Sequence, residues 1–149
     1  MIRIAIDGPG GAGKSTIAKL VGDKLGLEYI DTGAMYRAVG LKLNRKGIKP
    51  DDLISISNVL EETTIDFVNG KIILDGDDVS DIIRTQEISK FASIYSQIPE
   101  VRSKLVDIQR RIAAGKSVIM DGRDIGTNVL TDAELKVFLT ADSMVRARR

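Results

Sequence analysis

Gly8-Pro9-Gly10-Gly11-Ala12-Gly13-Lys14-Ser15 places four glycines in six positions and matches G-x-x-x-x-G-K-[ST] in full. Ile2 to Ile6, rich in β-branched residues, reads as a buried strand just before it. After it, Ile17, Leu20, Val21 and Leu25 recur at helical spacing, which predicts their burial on one face, and Gly26 is placed to end that helix. Strand, glycine loop and helix in this order suit phosphate binding. Glycines let the backbone curl so that several N–H groups point inward, and the helix adds the positive end of its dipole. Lys14 can reach the β- and γ-phosphates of a nucleoside triphosphate and Ser15 can hold Mg²⁺. The loop specifies a class of ligand but no single activity, because motors, switches, transporters and small-molecule kinases all use it.

The rest of the chain extends the same architecture. Leu27 to Ile30 predicts a second strand, and Asp31-Thr32 can cap a helix carrying Met35, Val39 and Leu43, with Gly47 after its end. Strand and helix alternating at this spacing predict an α/β fold with a parallel sheet flanked by helices. Residues 63–80 break the rhythm. Ile65-Asp66-Phe67 alternates, Asn69-Gly70 is a two-residue hairpin turn, Lys71 to Leu74 returns, and Asp75-Gly76 offers another turn before Val79. This predicts a small antiparallel insert outside the main sheet. Pro99 can start a helix with Val101, Leu105, Ile108 and Ile112 on one face and Gly115 at its end. Ser117 to Met120 and Lys136 to Leu139 read as the third and fourth core strands. Without repeats, low-complexity tracts or linkers, the 149 residues read as a single domain with an insert.

Composition narrows the chemistry. The chain has no Cys and no His, which excludes disulfides, thiolate or imidazole metal sites, cysteine nucleophiles and Ser-His-Asp catalysis. What remains is carboxylates, Lys and Arg, backbone dipoles and a bound hard cation. With 22 Lys and Arg against 21 Asp and Glu, few aromatics and no basic stripe, nucleic acid is not an expected partner. No apolar run approaches a membrane span and no signal-peptide layout opens the chain, so a cytoplasmic protein is expected.

Two further segments carry chemistry. Ser117-Val118-Ile119-Met120-Asp121 is an apolar strand ending in a carboxylate, which in phosphate-loop proteins helps hold the metal or its waters. It continues into Gly122-Arg123-Asp124, where an arginine at a strand's C-terminal end would face the ligand crevice; a surface Asp–Arg pair is the plainer reading. Asp31 to Arg37 likewise follows a strand and opens a helix. Tyr36 supplies an aromatic face and Arg37 a bidentate phosphate donor, although Tyr36 alone fits core packing equally well.

Through the phosphate loop, Asp31 to Arg37, Ile83-Arg84-Thr85-Gln86-Glu87, Pro99 to Arg102 and Asp121 to Thr127, the sequence resembles the bacterial cytidylate kinases over essentially its whole length. The resemblance implies transfer of the ATP γ-phosphate to CMP or dCMP with Mg²⁺. It implies a P-loop kinase domain with a nucleoside-monophosphate (NMP) region over about 31–103, enlarged by the β insert at 63–80, and an Arg-rich LID beginning about 146. Gly8, Pro9, Gly10, Gly11, Ala12, Gly13, Lys14, Ser15 and Thr16 then correspond to the ATP site, and Ser15 and Asp121 to the metal network, Asp121 through water. Arg37 and Arg123 correspond to contacts with the CMP phosphate; Ser93, Arg102 and Asp124 correspond to the cytosine readers. Thr32 stands where the family often has Ser and retains the hydroxyl; with Tyr36 it joins the expected CMP-binding set. Lys14, Arg37, Arg123 and Asp121 form the implied catalytic set. Arg84 fits a structural salt bridge at least as well as a family role, and Arg146, Arg148 and Arg149 fit either the first LID cations or a solvated helix end. The family pattern continues with more LID, another strand and a closing helix, which this sequence does not contain. The expected partners are the small molecules ATP and CMP or dCMP, and the expected state is a monomer. Another small acceptor (UMP, AMP or a metabolite) or a regulatory nucleotide-binding module are the alternatives; the sequence lacks Asn-Lys-x-Asp, the guanine-reading motif of switches.

Overall fold

Four strands, β1 (Arg3–Asp7), β2 (Glu28–Asp31), β6 (Val118–Gly122) and β7 (Leu135–Phe138), form a parallel sheet in the order β2-β6-β1-β7. The computed structural model describes residues 1–140, so the expected LID residues Arg146, Arg148 and Arg149 lie outside the described residues. Two units divide the chain. One comprises residues 1–32 and the chain from 109 onward; the other is Gly33–Ile108.

In the first unit, β1 runs between β6 and β7, with Ile4 opposite Ile119 on one side and Leu135 on the other. Ile4, Ala5 and Ile6 are buried, as are Val118, Ile119 and Met120, as a central parallel strand demands. Helix α1 (Lys14–Leu25) leaves the phosphate loop from Gly13 at φ +91° and ends at Gly26, φ +68°, whose N–H returns to the Gly22 carbonyl.

The buried face of α1 differs from the one its apolar spacing predicts. Ala18 and Gly22 are buried and Val21 partly so, while Ile17, Leu20 and Leu25 are 39%, 58% and 58% exposed. Close approach is the cause: a Cβ on Gly22 would lie 3.0 Å from the Leu27 carbonyl oxygen and 3.3 Å from Ile119 Cγ2. Small residues let the helix sit against the sheet, where Ala18 packs with Ile4, Ile6, Leu27 and Ile119.

The second unit contains most of α2 (Thr32–Arg45), then α3 (Leu53–Glu61), the insert strands β3 (Ile65–Val68), β4 (Lys71–Leu74) and β5 (Asp77–Asp78), α4 (Gln86–Tyr95), and the start of α5 (Pro99–Gly115). The insert forms the antiparallel sheet β3-β4-β5 that the sequence predicts. Both hairpins turn on paired positive φ values, Asn69 at 52° with Gly70 at 78° and Asp75 at 50° with Gly76 at 88°, which suit the twist of adjacent strands. Helices α3 and α4 are additional to the helices that the apolar spacing predicts. Each has a side-chain cap: Asp52 accepts from Ser55 N–H at 3.1 Å, and Thr85 from Ile88 N–H at 3.2 Å. Helices α2 and α4 meet at Gly40, where a Cβ would lie 3.0 Å from the Ala92 nitrogen. The Tyr95 hydroxyl donates to the Ile48 carbonyl, tying the end of α4 to the chain just beyond α2.

Gly22→Val should destabilise the first unit by about 2–3 kcal/mol, because β-branched bulk cannot enter a 3.0 Å gap to backbone. Leu20→Ala, at an exposed position, should change stability by less than about 1 kcal/mol. Urea unfolding of both variants measures the contrast; a larger loss from Leu20→Ala would restore the buried face that spacing alone predicts.

Candidate active site

The phosphate loop emerges directly from β1. Gly8 adopts φ +146° and a Cβ there would fall 2.1 Å from the Leu139 carbonyl oxygen, so only glycine fits as the chain leaves the sheet. Gly11 and Gly13 continue the turn at φ +78° and +91°. Lys14, the first residue of α1, folds back across the loop, its ammonium 3.1 Å from the Pro9 carbonyl oxygen. Ser15 and Thr16 are exposed on the first turn of the helix.

Beside the loop, Asp121 is buried near the end of β6, in register with Asp31 of β2. Its Oδ2 accepts a 2.6 Å hydrogen bond from the Tyr29 hydroxyl. Burial, reinforced by the negative charge of Asp31, pushes the Asp121 carboxyl up to about 6; the Tyr29 hydrogen bond and the positive charges of Lys14 and Lys19 act in the opposite direction. Lys19 also lies 5.8 Å from the centroid of the Tyr29 ring. Tyr29 is therefore part of this network, although no sequence motif marks it out.

Thr32 is buried and its hydroxyl donates to the Asp121 backbone carbonyl at 2.7 Å, joining the end of β2 to the end of β6. The Thr32 proton is thus committed within the protein. Immediately beyond, Gly122 permits a tight turn, since a Cβ there would lie 2.8 Å from Thr32 Oγ1 and 2.7 Å from Ile125 Cγ1. Arg123 is exposed and reaches toward the loop: a Cβ on Gly10 would be 3.5 Å from its Nη2. Asp124 opens the π-turn Ile125–Val129, with Oδ2 accepting from Asn128 Nδ2 at 3.1 Å and its carbonyl from Asn128 N–H at 2.9 Å. The first unit therefore brings together Lys14, Ser15, Asp121, Arg123 and Asp124 around one edge of its sheet.

The remaining expected residues belong to the second unit. Tyr36 and Arg37 are half-buried on α2, Ser93 is exposed on α4, and Arg102 is exposed on the first turns of α5. Arg37 lies one turn before Gly40 and Ser93 directly follows Ala92, so the α2–α4 crossing sets their separation within this unit. Arg84 is exposed at the end of a 3₁₀ turn, Ile82–Arg84.

Asp121 generates a pH prediction. Between about pH 4 and pH 6 the folded chain holds more proton at this carboxyl than the unfolded chain, so its contribution to stability falls as pH rises through that window. By neutral pH the ionised group costs at most about 3 kcal/mol. Asp121→Asn should therefore melt higher than the parent at pH 7.5, the advantage shrinking toward pH 4.5. Thermal melts at both pH values check this; an advantage that is independent of pH would contradict the raised carboxyl.

The chain matches the cytidylate kinase family over residues 4–149. It is 57% identical over 152 residues to the cytidylate kinase of Caldicellulosiruptor saccharolyticus, covering 99% of this chain and 67% of that protein. Identity to the cytidylate kinase of Caldanaerobacter subterraneus subsp. tengcongensis is 55% over 148 residues, covering 99% and 66%, and to that of Fervidobacterium nodosum 50% over 147 residues, covering 99% and 67%. The chain thus spans about two thirds of the length of these relatives. A match of this extent joins a phosphate loop, a strand-end carboxylate and an Arg-Asp turn on one sheet edge, and the chain belongs to the cytidylate kinase family.

Proposed function

We propose that this protein transfers the γ-phosphate of ATP to CMP or dCMP, giving ADP and CDP or dCDP. The observation that carries the reading is the first unit's single edge, where the phosphate loop, Lys14, Asp121 and Arg123 lie together. Phosphoryl transfer requires position and charge neutralisation more than covalent chemistry, so a chain without His or Cys is well suited to it. The acceptor phosphate is already a nucleophilic oxyanion near neutral pH, its second pKa being about 6 if it behaves as phosphoserine does. No dedicated general base is needed.

The loop amides from Gly8 to Thr16 hold the ATP phosphates and Lys14 turns its ammonium from the Pro9 carbonyl to the transferring group. Arg37 and Arg123 neutralise the acceptor phosphate. Among the described residues no three Asp, Glu, His or Cys side chains converge as a metal cage. A hydroxyl from Ser15 and the carboxylate of Asp121, whose burial beside Asp31 disfavours its charge, form an oxygen donor set that suits a cation shared with phosphates. When bound, Mg²⁺ supplies neutralisation of phosphate charge; Ser15 and Asp121, the latter through water, are the residues that would hold it. Thr32 acts within this reading as a strut, its hydroxyl bracing Asp121, and Tyr36 supplies an aromatic face on α2.

Cytosine offers an amino donor at N4 and acceptors at N3 and O2, whereas uracil offers an acceptor at O4 and a donor at N3. Asp124 or Ser93 can accept from the amino group, and Arg102, which only donates, suits N3 and O2. No described helix is long and apolar enough to cross a membrane. Our reading places the protein in the cytoplasm as a monomer, with ATP and CMP or dCMP as partners and no nucleic acid.

ATP consumption measured with CMP, dCMP, UMP, AMP and no acceptor tests the assignment. CMP and dCMP should be used, and kcat/KM for CMP should exceed that for UMP by about 10²–10³. Asp124→Asn should narrow that gap, because an amide can donate to O4. Lys14→Ala should lower kcat by at least about 10²-fold. Equal use of UMP or AMP would move the protein to another acceptor class, and acceptor-independent consumption would make it a hydrolase or regulatory module.

A further inference from the structure

Asp7, the last residue of β1, has a buried carboxylate that reaches across to the turn after β6. Its Oδ1 accepts from Ile125 N–H at 2.7 Å and its Oδ2 from Gly126 N–H at 2.8 Å. Two short charge-assisted bonds to successive backbone amides are strong and directional, and they satisfy a group whose burial would otherwise be costly. The turn they hold begins immediately after Arg123-Asp124. The packing around it is tight: a Cβ on Gly126 would lie 3.3 Å from Asp7 Oδ2 and 3.2 Å from Lys136 Cγ and Cδ. On the backbone side, the Asp7 carbonyl accepts from Leu139 N–H at 2.8 Å, and Gly8, the next residue, opens the phosphate loop. One residue therefore joins the root of the phosphate loop to the segment carrying Arg123 and Asp124.

We propose that Asp7 is a positioning residue for the acceptor side of the reaction: its carboxylate, clamped on the Ile125 and Gly126 amides, sets where Arg123 and Asp124 stand relative to the phosphate loop. This rests on the phosphoryl-transfer reading above. The hydrogen bonds of the Asp7 carboxylate go to the turn amides, so its influence runs through the turn. The isosteric Asp7→Asn separates this role from bulk packing. Its carbonyl oxygen still accepts one amide, but its NH₂ faces the other N–H, donor against donor, so the turn must shift. A shift of order 1 Å in a charged positioning group costs about 10²-fold in transfer.

The test uses the full-length protein. Kinetics with CMP, calorimetric titration of ATP, and amide hydrogen exchange are measured for the parent, Asp7→Asn, Arg123→Ala and the double variant. In Asp7→Asn, kcat/KM for CMP should fall about 10- to 100-fold while ATP affinity stays within threefold of the parent. Exchange at Ile125 and Gly126 should accelerate, with the other β1 and β6 amides remaining protected. In the Arg123→Ala background the Asp7 change should add less than about threefold, because its effect runs largely through a side chain already removed. Unchanged exchange at Ile125 and Gly126, equal loss of ATP affinity, or full multiplication of the two kinetic losses would overturn the role of Asp7. A parent that does not turn over CMP would overturn the functional reading itself, and the acceptor role with it; a parent active on CMP whose Asp7→Asn variant is equally active would overturn the positioning role alone.

Discussion

Because β2, β6, β1 and β7 all run the same way, their last residues, Asp31, Gly122, Asp7 and Phe138, emerge along one edge of the sheet. The grouping of candidate site residues in the first unit depends on that shared direction. The phosphate loop follows Asp7, the Arg123-Asp124 turn follows Gly122, and the carboxylate pair Asp31 and Asp121 comes from adjacent strands in register. An antiparallel sheet would send alternate strand ends to opposite edges and separate these groups by a strand's length. Burial of the central strands β1 and β6 by apolar residues favours their parallel pairing, so the core of Ile4, Ile6 and Ile119 and the geometry of the site have one origin, while edge strand β7 leaves Leu135 and Phe138 exposed.

Much of this was readable in the sequence because it is written in local terms. The glycine loop, the β-branched runs and the two hairpin turns each impose a conformation on their own residues, and all appear where their chemistry puts them. Helices α3 and α4 were harder to read. Leu53-Ile54-Ser55-Ile56-Ser57 alternates apolar and polar at its end and is rich in β-branched residues, a strand-like pattern that the Asp52 cap and the helix's neighbours override. In α4 the signal was present in the Thr85 cap and the spacing of Ile88, Ala92 and Tyr95. The buried face of α1 departs from its apolar spacing because spacing ranks positions by apolarity, whereas close approach to the sheet selects Ala18 and Gly22 by size.

Within the site, residues in motifs were legible and those acting across the chain were not. Lys14 and Ser15 are marked by their loop, and Asp121 by its strand. Asp7 acts on amides 118 and 119 residues away, and Tyr29 on a carboxylate 92 residues away. Such contacts exist only once the sheet has set strand order and register, and no window along the chain contains both partners. Thr32 is a mixed case: its hydroxyl is evident in the sequence, but its bond to the Asp121 carbonyl depends on β2 lying beside β6.

Asp7 and Asp121 are both buried near the same sheet edge, yet their surroundings give them opposite duties. Asp7 spends both oxygens on backbone amides, so its charge is consumed in holding the protein's own turn. Asp121 has one phenol bond and the nearby charges of Lys14 and Lys19, but burial and the neighbouring Asp31 carboxylate outweigh them, and its charged form is accordingly disfavoured. A sequence selected for stability alone would have paired or replaced such a group, since burying a carboxylate beside another is among the costlier arrangements available. Its presence makes sense if cationic charge arrives with the ligand: the same field that disfavours the bare carboxylate favours a cation next to it. The same sheet edge thus holds one carboxylate satisfied by backbone amides and another whose charged form is disfavoured, a difference set by environment and not by residue type.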